Sequence, residues 1–296
     1  MKSRTLVQFA IVTLIWGSTW LIIRTQLGVV PPSWSVAYRF TVAAMTMLAF
    51  CALTGNTLRL DRRGHLFALA LAVAQFGLNF NFVYRAEQHV TSGLVAVAFA
   101  MLVVPNALLA RVFLGHRVTP RFAIGSLIGI AGVALLFQHE LAVVAAGRGT
   151  SSVGLGLLLT IGGVLSASVA NVMQASQTGV AQPRFGLLAI SFLYGAVLDA
   201  GYAWATAGSP VILMTPIYLG GLMFLGIAAS ALAFPLYYDV IRAIGPAKAA
   251  YSSLIVPFIA LALSTLFEGY RWTPTAFAGA MLAVGGMWVA LTSRRA

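Results

Sequence analysis

Residues 93–132 are written a second time at 245–286, and this duplication constrains the chain more than any other feature. The first copy carries Gly93, Pro105, Phe113, Gly115, Arg117, Thr119, Pro120, Gly125 and Gly132. The second carries Gly245, Pro257, Phe267, Gly269, Arg271, Thr273, Pro274, Gly279 and Gly286. F-x-G-x-R-x-T-P therefore stands twice, with the same spacing onward to two glycines, and the Gly-to-Pro interval of 12 is shared. The copies differ in spacing only by two extra residues between Pro257 and Phe267. A period near half the chain describes two copies of one unit.

What the unit is made of follows from its apolar runs. They recur along the whole length at about 18–23 residues, which suits spanning helices rather than the short alternating strands of a barrel. The chain is 60% hydrophobic and 8% charged, against roughly 25% charged for soluble domains, so it reads as an integral membrane protein. Ten helices are expected, at 6–25, 34–53, 65–85, 91–113, 120–138, 152–175, 184–205, 217–239, 247–267 and 273–292. The first begins after Lys2 and Arg4 like a signal peptide. However, it continues through Trp16 and Trp20 without an A-x-A site, and is expected to remain as a span. Cys51, the one cysteine, leaves no internal disulfide and no cysteine-based metal cluster. The net charge of +12 sits in short loops and forms no stripe, so nucleic acid is not an expected partner.

Those loop charges set an orientation. With the N-terminus in the cytoplasm, 13 Lys and Arg fall inside and 4 outside (Arg24, Arg85, Arg148, Arg271), with Arg39 left within a helix. Both termini are then cytoplasmic. Five helices per half is an odd number, so the second copy starts from the opposite side of the membrane. The expected fold is an all-α membrane protein with ten transmembrane helices as two inverted five-helix repeats. These are residues 1–138 and 152–296, joined by 139–151. In transporters this arrangement puts the substrate site near the midplane between the halves.

The duplicated stretches resemble the five-helix repeat of the EamA type in the drug/metabolite transporter superfamily. The match is carried by Val103-Val104-Pro105, the Phe-x-Gly turn, the Thr-Pro helix start and the glycine-bearing last helix of each half. The family usually has Glu after the turn's glycine, where this chain has His116 and Tyr270, which implies a structural position rather than a chemical one. The resemblance implies an exporter of amino acids, metabolites or drugs in a bacterial inner membrane. The aromatic content and the polar third helix are most similar to the aromatic amino-acid exporter branch.

Ionisable groups deep in a bilayer are costly and functional by default. Asp199 is the one acid well inside a predicted span, and is a candidate for proton coupling or for a hydrogen-bonded carboxyl near a helix end. Arg39 lies about a turn into helix 2, placed either to bind a carboxylate or, as the favoured reading, to snorkel to the interface. Gln75 and Asn79, four apart on helix 3, share a face near mid-bilayer. They are either substrate ligands or interhelical glue. Trp16 and Ser18 reach the same depth on helix 1, with Ser166 near their counterpart position on helix 6. Met101 and Ser253 precede Pro105 and Pro257 by one turn each. Each proline removes a backbone hydrogen bond and can kink its helix, serving as a hinge or freeing a carbonyl. Tyr84 and Tyr237 are placed at opposite ends as gates or interfacial anchors. Gly125, Gly129, Gly132, Gly279, Gly285 and Gly286 favour close helix packing, within the chain or across a homodimer.

The leading expectation is thus an alternating-access exporter, facilitative, of small amphipathic solutes such as aromatic amino acids. Its partners are that solute and membrane lipid; no cofactor or metal is expected. One alternative is export of another metabolite or drug by proton exchange through Asp199. A membrane-embedded enzyme is disfavoured, because His65, His89, His116 and His139 fall at helix ends without metal-ligand spacing. No G-x-x-x-x-G-K-[ST] motif is present for ATP.

Overall fold

The computed structural model describes residues 3–115, 118–136, 138, 152–244 and 252–291, and every regular element assigned among them is helical. The connecting segment 139–151, His116 and Gly245 lie outside the described residues. We number the long helical units α1 (Ser3–Thr25), α2 (Pro32–Thr54), α3 (Arg62–Ala86), α4 (Ser92–Leu114) and α5 (Pro120–Leu136). The second series is α6 (Ser152–Ala175), α7 (Arg184–Ala207), α8 (Pro216–Met223, Phe224–Leu232 and Ala233–Ile244 in succession), α9 (Ser252–Phe267) and α10 (Pro274–Leu291). Seven of them are long and apolar enough to cross a membrane; α5, α9 and α10 are shorter apolar helices as described. In hydrocarbon every backbone polar group must pair within its own segment, so unbroken apolar runs of this kind become helices.

The repeated motif is a helix stop followed by a helix start. Gly115 ends α4 at φ 71° and Gly269 follows α9 at φ 69°, left-handed values that glycine adopts without a Cβ penalty. Four residues on, Thr119 Oγ1 accepts the Phe122 N–H at 3.2 Å and Thr273 Oγ1 accepts the Ala276 N–H at 3.0 Å. Pro120 and Pro274 then open α5 and α10, where a missing N–H costs nothing. The Gly and the Thr-Pro of F-x-G-x-R-x-T-P thus give the same helix stop and the same helix start twice.

Both third helices are interrupted by π-helical geometry. Ala72–Leu78 widens α3, and Phe224–Leu232 widens α8. Such segments disturb the regular carbonyl ladder and often mark functional sites. Proline acts unequally in the two halves. α4 breaks at Met101 and Leu102 into tight turns (Val104 N–H to Met101 O, 2.9 Å) just before Pro105, whereas α9 runs through Pro257 as one helix from Ser252.

The closest helix contact is α5 on α10. A Cβ added at Gly132 would lie 2.2 Å from the Ala283 nitrogen; at Gly286 it would lie 2.3 Å from the Gly129 nitrogen; at Gly125, 2.4 Å from the Ala290 nitrogen. Backbone touches backbone there, so these glycines are used inside the chain and are not free to form a dimer face. Gly285, also of the expected set, faces open space. Elsewhere α2 lies along α7, α1 and α4 pack on α9, and α6 packs on α3 and α4.

The main core forms where α2, α3, α7 and α8 meet. Phe40, Phe76 and Phe192 are fully buried, with ring centroids 4.7–5.9 Å apart, and Phe80 and Phe234 close the cluster. Rings from both halves therefore fill the place where the halves meet.

Candidate functional site

Buried polar side chains gather around the two π segments. Asn81 stands just beyond the first. Its amide donates to Gly77 O at 2.9 Å, within the widened turn, and to Asp199 Oδ1 of α7 at 2.8 Å. Asp199 is 2% exposed and its Oδ2 has no hydrogen-bond partner. Arg39 of α2 is likewise 2% exposed, and its Nε donates to Ser230 Oγ at 3.2 Å inside the second π segment. Ser230 in turn donates to Leu225 O at 2.8 Å, a bond five residues back that fits the widened turn. The Arg39 guanidinium also sits 4.3 Å above the Phe80 ring. This corrects the snorkelling expectation: the side chain turns into the protein, where Ser230 and an aromatic face receive it.

The other predicted site residues divide into separate groups. Trp16 Nε1 donates to Ala229 O of the second π segment at 3.2 Å, and its ring lies 4.9 Å from Tyr237 and 5.6 Å from Phe234. Gln75 and Asn79 are buried on α3; the Asn79 amide donates to Gln75 O at 3.3 Å while its Oδ1 has no partner. The Asn79 carbonyl lies against Gly163 of α6. Ser18 is half-buried and donates to Ile15 O of its own helix at 2.9 Å. Ser166 is half-buried on α6. Met101 turns its sulfur and methyl towards Gly129 of α5. Ser253 belongs to α9, and its side chain is outside the described residues. Tyr84 is fully buried and its hydroxyl has no hydrogen-bond partner. Phe40, Phe76, Phe192 and Phe234 are an addition that sequence reasoning did not single out, since phenylalanine in an apolar helix carries no local mark of facing inward.

The chain that builds these two series of helices matches a known family in sequence. Its model, the EamA-like transporter family, matches residues 4–138 and 154–292. The chain belongs to that family. It is 28% identical over 266 residues to the uncharacterized inner membrane transporter YedA of Escherichia coli K12, covering 86% of this chain and 80% of YedA. It is 24% identical over 289 residues to a probable amino-acid metabolite efflux pump of the same organism, covering 94% and 92%. One solved crystal structure superposes over the whole of both chains with a TM-score of 0.69 at 21% identity, a likeness of fold. An EamA-like chain with multiple apolar helices is a multi-pass membrane protein of transporter type.

In this EamA-like protein a second polar layer lies at the end predicted to face outward. Arg24, in the last turn of α1, binds the Glu87 carbonyl through Nη1 and pairs with Glu268 at 3.9 Å. Ser92, at the start of α4, donates to Glu268 Oε2 at 2.7 Å. Glu87 caps α3 and is fully buried, with both carboxylate oxygens unpartnered. Burial, and then the neighbouring Glu268, push its carboxyl well above the usual range, against the opposing pull of Arg24 and Arg39. Beside this layer Ser35 Oγ and Tyr218 Oη share a hydrogen bond of 3.0 Å. A cleft of about 430 Å³ opens at the same end, lined by Pro31, Arg85, Gln88, His89 and Thr206 among others.

Proposed function

We propose that the protein is an inner-membrane exporter of small amphipathic solutes, most specifically amino acids including aromatic ones, working as a facilitative alternating-access carrier. The observation that carries this reading is the corresponding placement of the two π segments. Each is met by a buried polar side chain from the helix beside it: Asp199 of α7 through Asn81, and Arg39 of α2 through Ser230. Irregular backbone at membrane depth is tolerated where it lines a cavity or contacts protein, and exchangeable side-chain partners allow such turns to be regrouped between two states.

The packing pattern supports two inverted five-helix halves, ten spans in all. Exchanging each of α1–α5 with its counterpart in α6–α10 maps α1·α9 onto α6·α4, α3·α6 onto α8·α1, and α3·α7 onto α8·α2. The α2·α7, α5·α10 and α4·α9 contacts map onto themselves. A carrier of this symmetry opens alternately to either side of the aromatic cluster. The Lys and Arg distribution supports cytoplasmic termini. The solute class draws on the efflux pump named above and on the Trp16, Tyr237 and Phe234 rings, which offer an apolar wall to an aromatic side chain.

The test is uptake of a panel of labelled amino acids by purified protein in liposomes, with and without a pH gradient. Saturable flux favouring aromatic amino acids and indifferent to the gradient is expected. A second reading, proton exchange, is favoured by the unpartnered Oδ2 of buried Asp199. Flux that requires the gradient and loses that requirement in Asp199→Asn would replace the facilitative reading with it.

A further inference from the structure

The polar layer at the predicted outer end contains two acids and two bases that do not pair off evenly. Arg24 and Glu268 face each other, and Ser92 supplies Glu268 with a donor. Arg39 and Glu87 remain. They are 2% and 0% exposed and interact electrostatically, yet no ion pair within 4.0 Å joins them among the described residues. Arg39 Nη1, both Glu87 oxygens and the Tyr84 hydroxyl all lack a hydrogen-bond partner. Tyr84 neighbours both charges, and its hydroxyl interacts with the Arg39 guanidinium without forming a well-aligned hydrogen bond. Leaving one buried polar atom unsatisfied costs about 1–3 kcal/mol, and more when it is charged. The two unpartnered oxygens of Glu87, beside a guanidinium and a hydroxyl that are incompletely satisfied, describe a site that a ligand from outside the protein would complete.

We propose that Arg39, Tyr84 and Glu87 form a recognition site for a zwitterion: the α-carboxylate of an amino acid on Arg39 and Tyr84, its ammonium on Glu87. The inference rests on the exporter reading and names the chemistry by which that carrier selects its solute. A guanidinium fork suits a carboxylate, and a carboxylate suits an ammonium. Because the protein places opposite charges in reach but not in contact, a ligand bearing both charges completes each without leaving a net buried charge. An anion or a cation of the same size satisfies one partner and strands the other. The ring of Phe80 beneath Arg39 and the adjoining Phe40 extend the site with apolar surface. Residues on either side of Glu87, namely Arg85, Gln88 and His89, line the open cleft at this end.

The experiment is exchange by the full-length protein in liposomes loaded with labelled phenylalanine, driven by external phenylalanine, phenylalaninamide (no carboxylate) or 3-phenylpropionate (no ammonium). For the unaltered protein, phenylalanine is expected to exchange at least about tenfold better than either analogue, the loss set by one charge-assisted hydrogen bond. Glu87→Gln should erase most of the discrimination against 3-phenylpropionate while keeping that against phenylalaninamide. Arg39→Gln should do the converse, and Tyr84→Phe should weaken carboxylate discrimination less. Should Arg39→Gln not fold, Glu87→Gln and Tyr84→Phe decide the matter alone. Variants that exchange phenylalanine with the original order of preference overturn this site and leave the exporter reading standing. Failure of the unaltered protein to exchange any amino acid overturns both.

Discussion

The α5–α10 seam and the seams that join α3 to α7 and α8 to α2 are built from opposite materials. In the first, backbone touches backbone across Gly125, Gly129, Gly132 and Gly286, with polar side chains playing no part in the closest approaches. In the second, helices with π segments meet through Asn81–Asp199 and Arg39–Ser230. Glycine contacts gain from tight van der Waals packing and have one good register. Hydrogen-bonded side chains at a widened turn can exchange partners. The difference separates a seam with one good register from seams whose hydrogen-bonding partners are exchangeable.

The sharpest way to break that contrast is to add one methyl group to glycines of α5 and α10, one inside the seam and one outside it. Gly132→Ala places a Cβ 2.2 Å from a backbone nitrogen that cannot step aside. Overpacking of this kind costs about 1–3 kcal/mol or more. The expected outcome is a large loss of folded protein by size-exclusion chromatography and a lower Tm. Gly285→Ala, on the facing helix α10 but in open space, should do neither. If both substitutions behave alike, the α5–α10 seam does not hold one register.

The second seam should respond in function before it responds in stability. Asp199→Ala removes the acceptor of the Asn81 amide and should cost about 1–3 kcal/mol. Asp199→Asn, which keeps an acceptor oxygen, should cost less and leave gradient-independent flux largely intact. Tm in detergent and liposome flux, measured side by side, separate the two. Equal losses of stability in the Asn and Ala variants would show that the Asn81 bond contributes nothing.

Trp16 tests the second π segment more gently, from α1. Trp16→Phe keeps a ring against Tyr237 and Phe234 but deletes the donor to Ala229 O. A neutral hydrogen bond is worth about 0.5–1.5 kcal/mol net, so Tm should fall slightly. Trp16→Ala and Asn79→Ala should slow transport while the yield of folded protein stays near that of the parent. A matching fall in yield would assign both residues to packing.

The repeated turn was far more legible in the sequence than the π-segment seams, for a physical reason. F-x-G-x-R-x-T-P encodes a turn through local demands, a left-handed glycine and a capping threonine before proline, and local demands are written in adjacent letters. The π segments are not so written, because the carbonyls they disturb are satisfied by Trp16 and Asn81 side chains whose reach depends on packing. Arg39 shows the same limit: sequence gave its depth along α2 but not the direction it faces around the helix. Asp199 and Asn81 are 118 residues apart, and nothing local to either announces the other. Pro105 and Pro257 occupy matching places, yet α4 breaks and α9 continues, so position in a repeat sets where a kink is allowed rather than whether it forms.

The smallest expected effect concerns pH and the outer polar layer. Burial and Glu268 raise the Glu87 carboxyl above its ordinary value of 4.5. The folded protein therefore binds a proton that the unfolded chain gives up, and stability from this group is fully present below about pH 4.5. It declines as pH rises from there through the folded value. Tm in detergent should accordingly drift downward across that window, and Glu87→Gln should flatten the drift by removing the titrating group while keeping its shape. A slope that survives unchanged in this variant does not belong to Glu87. A flat profile in Glu87→Gln, beside a sloping one for the parent, would place the titrating, movable contact at the end of α3. The glycine seam of α5 and α10, which buries no titrating side chain at its closest approaches, should give no such slope when its own variants are compared.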